Sequence, residues 1–171
     1  MESKGESITS MIRLRILLMV SCFLLGLLAG ETIERIIVQL PAWKKLNIGI
    51  WGEFSRHADL GNGLIVYPFE ALGSFVCLLT TSIILFAHRR TAHNVVLPVI
   101  AATVFSFIGL ILTFLAAPVM LSVRNIGNDP AVLNLAFNEF YYWSFFRGIA
   151  QILSFAFCIW AVGKTFSGYT S

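Results

Sequence analysis

A chain of 171 residues that is 57% hydrophobic and only 12% charged is too apolar for a soluble globular domain, where roughly a quarter of residues carry charge. Its formal charge of +3 comes from cations spread over the ends of apolar runs rather than gathered in one patch, so it has no nucleic-acid footprint. Cys22, Cys77 and Cys158 stand singly in separate apolar runs, which excludes a quinone-linked thiol–disulfide enzyme with its paired surface cysteines.

Windows of about 20 apolar residues, the length that crosses ~30 Å of hydrocarbon, recur at residues 16–36, 64–87, 95–120 and 137–162. They predict one all-α domain over residues 1–171, a four-helix transmembrane bundle in contact with membrane lipids, with an interfacial helix in the segment 43–60. Lys4, Arg13 and Arg15 precede the first span, Arg89 and Arg90 separate the second from the third, and Lys164 follows the fourth. By the positive-inside rule both termini and the 88–93 turn then face the cytoplasm, as in a bacterial inner (plasma) membrane. The first span is longer than the 7–15-residue apolar core of a cleaved signal.

In chain order, the polar residues 1–10 are expected to fray. The first span carries Gly26 and Gly30 at a spacing that lets a second helix approach closely, within this chain or in a homo-oligomer. Its helix is expected to continue past Glu31, Glu34 and Arg35 until Pro41 breaks it. Glu31 and Glu34 share a face, and Arg35, four residues after Glu31, can pair with it. Between Trp43 and Asp59 apolar and charged residues intermix, which suits a helix lying on the bilayer with Trp43 and Trp51 at headgroup level. Glu53 and His57 are four apart on that helix, and Asp59 follows. Carboxylates and an imidazole at such spacings are divalent-metal ligands, and Glu31, Glu34, His57 and Asp59 form the predicted set. Gly61, Asn62 and Gly63 should end the helix and turn the chain.

The second span opens at Tyr67-Pro68 and sets Glu70, Ser74, Cys77 and Thr81 on a polar stripe that must face protein, because lipid offers it no partners. Thr103, Ser106, Gly109 and Thr113 give the third span a packing face. Residues 121–136 read as a turn-rich loop. In the fourth span Glu139, Trp143, Arg147 and Gln151 recur every four residues. An unpaired arginine at that depth costs several kcal/mol, so Glu70 or Glu139 is its expected partner. His88 and His93 flank Arg89 and Arg90 at headgroup level.

With this topology seven of the nine acids, all but Glu2 and Glu6, fall in the outer half of the bundle. Two functional classes follow. In the first, a membrane oxygenase or oxidoreductase acts on a small lipophilic ligand drawn from the bilayer. Glu70 or His57 is its general base, and Arg147 with Trp143 stabilises a developing oxyanion. In the second, a non-catalytic small transporter or partner protein uses the Glu and Arg groups to fix helix register.

The short motifs carry a resemblance. A first span with Gly26 and Gly30 near its end, V-x-x-P-A-W from Val38 to Trp43, A-P-V from Ala117 to Val119, and W-x-x-x-R at Trp143 and Arg147 together resemble the anthrone-oxygenase-like four-helix membrane proteins, a family long catalogued as a domain of unknown function. Many relatives carry Asn after the Pro-Val, where this chain has Met120. The resemblance implies the bundle and, for a few members, oxygenation of a polyketide anthrone without an evident organic cofactor.

Overall fold

The computed structural model describes residues 2–87 and 93–167, with side chains described for residues 11–87 and 94–166. His88, Arg89 and Arg90, and the side chains of Lys4 and His93, lie outside the described residues. Outside residues 46–47 and 123–129 the described chain is helical: α1 (Glu2–Glu34), a π-helical turn (Arg35–Gln39), α2 (Leu40–Lys45), α3 (Ile48–His57), a second turn (Ala58–Asn62) that kinks at Gly61 (φ −90°, ψ −117°), where the sequence expects the helix to end, α4 (Gly63–Ala87), α5 (His93–Ser122) and α6 (Pro130–Ser167). Four stretches are long and apolar enough to cross a membrane: Met11–Lys45, Ile48–Ala87, Asn94–Ser122 and Pro130–Phe166. The predicted all-α four-helix architecture is what the chain adopts.

Packing closes the helices into a ring. Helix α1 packs on α4 and α6, and α5 packs on the same two, so every neighbour is antiparallel and the connections stay short. Two apolar cores lie along the bundle. Toward the termini an aliphatic core gathers Leu18, Leu25, Leu78, Val99 and Ala161. At the other end, called the cap here, an aromatic core gathers Trp43, Trp51, Leu133, Phe137 and Phe140.

The boundaries differ from expectation where local chemistry wins. Helix α1 extends back to Glu2 instead of fraying. Pro41 does not break the first helix, which runs on to Lys45. Ahead of the proline the helix widens, with the Leu40 N–H donating to the Arg35 carbonyl five residues back. That turn lets the helix tolerate a ring that would collide with a preceding carbonyl in a regular α-helix. The chain leaves the helix only at Leu46, which is extended (φ −94°, ψ 174°). The fourth helix starts at Pro130, well before residue 137. The Asp129 side chain accepts from the Ala131 N–H at 2.9 Å, so Asp129-Pro130 is an N-cap followed by a first-turn proline rather than the middle of a loop.

The tryptophans pack into the protein rather than lying open on α2 and α3: Trp43 is 7% exposed and Trp51 fully buried, the latter edge-on to Phe137 with ring centroids 5.2 Å apart. Asn47 caps α3 by accepting from the Gly49 N–H. Arg56 then ties α3 to the α5–α6 connection, donating to the carbonyls of Val123 (3.1 Å) and Ile126 (2.7 Å) and to the Asn128 side chain (3.0 Å). Arg124 returns the favour, donating to the Leu60 carbonyl at 2.9 Å. The cap is therefore a fixed lid. Gly26 does let α6 approach α1, a Cβ there falling 3.2 Å from the Phe155 ring, whereas Gly30 faces open space; a tighter approach is at Gly148, where a Cβ would lie 2.5 Å from Thr32 Cγ2 and 2.6 Å from Ile36 Cδ1.

Candidate functional site

Between the two cores the packing opens. A cavity of about 150 Å³ has room for a small organic molecule, since one water occupies only about 30 Å³ of liquid. Every long helix lines it: α1 with Leu28, Glu31 and Thr32, α4 with Leu64 and Tyr67, α5 with Thr113, Ala116 and Met120, and α6 with Phe140, Arg147 and Gln151. Arg35, from the π-helical turn, and Asp59, from the kinked turn at 58–62, complete it. Leu64, Pro68 and Leu121 also line it and are exposed, so the cavity reaches the bundle surface at the α4–α5 seam. Above it, Leu60, Met120 and Phe140 belong to the cap core.

The first wall is a closed ionic cluster. Arg35 is 5% exposed and Asp59 4%. The Arg35 guanidinium donates to Asp59 Oδ1 at 2.7 Å, to Glu31 Oε1 at 3.2 Å and to the Tyr67 hydroxyl at 3.2 Å, and its carbon lies 5.4 Å from the Tyr67 ring centroid. Arg35 sits in a π-helical turn, an irregularity that often accompanies functional sites, and Asp59 in the turn that kinks at Gly61. Gly63 makes room for the arrangement. A Cβ there would come within 2.6 Å of the Tyr67 ring and 3.0 Å of the Ala58 carbonyl. The second wall is a neutral buried bond: the Thr32 hydroxyl donates to Gln151 Oε1 at 2.6 Å.

Arg147 differs. It lines the cavity, yet no carboxylate or other acceptor among the described residues bonds to it, and its Nε is buried without a partner. Asp59 Oδ2 is likewise buried without a partner. Arg35 Nε is buried without a partner as well, so the residues lining the cavity carry two unmet donors and one unmet acceptor, where buried polar groups are normally satisfied.

The structure brings together Glu31, Asp59 and Arg147 of the sequence-predicted residues and separates the others. The expected pairing of Arg147 with Glu70 or Glu139 is absent, both acids being without an ion pair among the described residues. Glu70 sits half-buried on α4 and does not line the cavity. Trp143 lines a separate apolar crevice with Phe105 and Tyr142, because four residues overshoot a helical turn by about 40° at 3.6 residues per turn. The His57 side chain is 85% exposed, with its Nε2 3.7 Å from Glu53 Oε2. Helix α3 turns its Trp51 and Ser55 side inward, which points Glu53 and His57 outward. Glu34 is exposed and bonds Gln39. The four predicted metal ligands therefore do not converge, and no cluster of three or more His, Cys, Asp or Glu side chains suited to a metal occurs among the described residues.

Tyr67, Thr32 and the Arg35–Asp59 pair escape sequence reasoning. Arg35 and Asp59 lie 24 positions apart, and only the turns between them bring them together. The free Cys158 is buried on α6 and its thiol donates to the Leu18 carbonyl of α1 at 3.7 Å. Comparisons with family models, curated proteins and solved structures found no match to the chain.

Proposed function

We propose that the protein is a membrane-embedded enzyme that takes a small lipophilic molecule from the bilayer into the cavity and performs proton-transfer or oxidoreductase chemistry on it. One observation carries this reading: an apolar cavity, capped toward one membrane face and open at the α4–α5 seam, with Arg147 and the Glu31–Asp59 carboxylates converging inside it. A solute from water meets the lid, whereas one dissolved in lipid meets the seam. Within the cavity Glu31 and Asp59 take the base position expected of Glu70 or His57, and Arg147 supplies positive charge for a developing oxyanion without Trp143. An oxygenase of the kind the sequence resemblance implies would bind its substrate here. The charge pattern of the ends orients the bundle with both termini in the cytoplasm and the cap outside.

The second reading, a structural network in a transporter or partner protein, is favoured at one place. Arg35 is held within the chain through its Nη2, which donates to Asp59, Glu31 and Tyr67, and acts as a register pin between α1 and the turn before α4.

Photolabelling with an adamantyl diazirine in lipid nanodiscs tests the cavity. Label is expected on the buried Leu60 and Met120, and Ala117→Phe, which fills the cavity from α5, is expected to remove it from those two residues. Label confined to lipid-facing residues overturns the reading.

A further inference from the structure

We infer that the seam between α1 and α6 binds an anionic phospholipid of the leaflet on the terminal side, with an acyl chain in a groove between the two helices and the phosphate on Arg15. This seam lies across the bundle from the α4–α5 opening of the cavity, because α1 and α5 each pack on α4 and α6. The inference therefore stands apart from the cavity reading.

The groove follows one stripe of α1. Met19, Cys22 and Gly26 line it at spacings of four and three, with Phe155 and Val162 of α6 opposite. Gly26 lets the Phe155 ring lie close against α1, and Phe23, 66% exposed, forms the outer wall. One turn before Met19 on the same stripe stands Arg15, and one turn beyond Val162 stands Phe166. Arg15 Nη2 donates to the Thr165 carbonyl at 2.7 Å, and the guanidinium carbon lies 4.8 Å from the Phe166 ring centroid. These contacts with the last turn of α6 fix a cation at the mouth of the groove, where the apolar run starts at Ile16.

Length and charge then choose the occupant. From Arg15 to Gly26 the helix rises about 16 Å at ~1.5 Å per residue, half of the ~30 Å hydrocarbon thickness. The groove thus spans one leaflet, from headgroup level to the midplane, which is the reach of a lipid chain rather than of a small solute. The acids with described side chains, from Glu31 to Glu139, all lie at the cavity or the cap. Arg13 and Lys164, both exposed, share the terminal end with Arg15. A net-negative headgroup balances these cations, whereas a zwitterionic one brings a further ammonium among them. Arginine meets a phosphate while keeping a second contact, because its guanidinium has five N–H donors in a planar fork. Basic pockets between spans hold anionic headgroups in this way.

The test compares two phospholipids with the same diazirine in one acyl chain, one bearing a phosphatidylglycerol and the other a phosphatidylcholine headgroup. Each is added at low mole fraction to phosphatidylcholine nanodiscs holding the full chain. The glycerol lipid is expected to label Met19, Phe155 and Val162 at least about fivefold more than the choline lipid, the ratio that ~1 kcal/mol for one cation near the surface gives. Arg15→Gln is expected to bring that ratio to about one and to leave the labelling of Ile83 and Leu97 unchanged, these being exposed on α4 and α5 toward the same end. Met19→Trp fills the groove with Arg15 still in place and is expected to remove label from Phe155 and Val162. Equal labelling of the groove by the two lipids in the unaltered protein overturns the inference. So does a preference that survives in a folded Arg15→Gln, Phe155 labelling that Met19→Trp leaves intact, or a groove that neither lipid labels, as a second copy seated there would leave it.

Discussion

Two arginines border one cavity, and their surroundings could hardly differ more. Arg35 has Asp59, Glu31 and Tyr67 around it at 2.7–3.2 Å. Arg147 has no bonded partner among the described residues. A buried charge tied to carboxylates of two segments is a joint in the fold, and removing one partner leaves the other stranded. A charge left open in a cavity contributes nothing to holding helices together and is available to something that enters. The difference separates residues that build the site from the one that uses it.

Breaking the first arginine's cluster should have the largest effect. Asp59→Ala is expected to lower the unfolding free energy by about 3–5 kcal/mol, read by denaturant unfolding in detergent. The double change Arg35→Met with Asp59→Leu should lose less than either single change, because no lone charge remains. Next in size is the wall between the arginines. Thr32→Val strands Gln151 and is expected to cost about 1–3 kcal/mol, while Thr32→Val with Gln151→Leu should be close to neutral. Gly148→Ala, which pushes a methyl group into Thr32 and Ile36, should cost about 1–3 kcal/mol by overpacking. The smallest effect belongs to the second arginine: Arg147→Met is expected to change thermal stability by less than about 1 kcal/mol or to raise it. A loss as large as that of Asp59→Ala would erase the contrast and make both arginines structural.

The sequence showed much of this fold and less of its site. Four spans follow from apolar length, and the Glu31–Arg35 pair from a spacing of four. Arg147 and Gln151 were legible as an inward stripe, since a lipid-facing guanidinium is too costly. Trp143 was misplaced because a step of four drifts around the helix. His57 was misplaced because nothing local reveals which side of α3 faces the core; Trp51 decides it only through Phe137 and Leu133, more than 80 residues on in the chain. The Arg35–Asp59 pair was beyond reach for a similar reason: the kink at Gly61 was legible from Gly61-Asn62-Gly63, but no residue pattern announces the π-helical turn that carries Arg35. Asp129-Pro130 carried a readable signal for a helix start, hidden by the turn-forming residues before it.

The most direct measurement is an experimental structure in lipid nanodiscs, resolved well enough to place the guanidinium of residue 147 and its contacts. The account predicts Arg35 on Asp59 and Glu31, and non-protein density in the cavity with an acceptor oxygen within hydrogen-bonding distance of Arg147. Arg147 paired instead with a carboxylate of the chain, such as Glu70 or Glu139, and side chains filling the space between the two cores would contradict it.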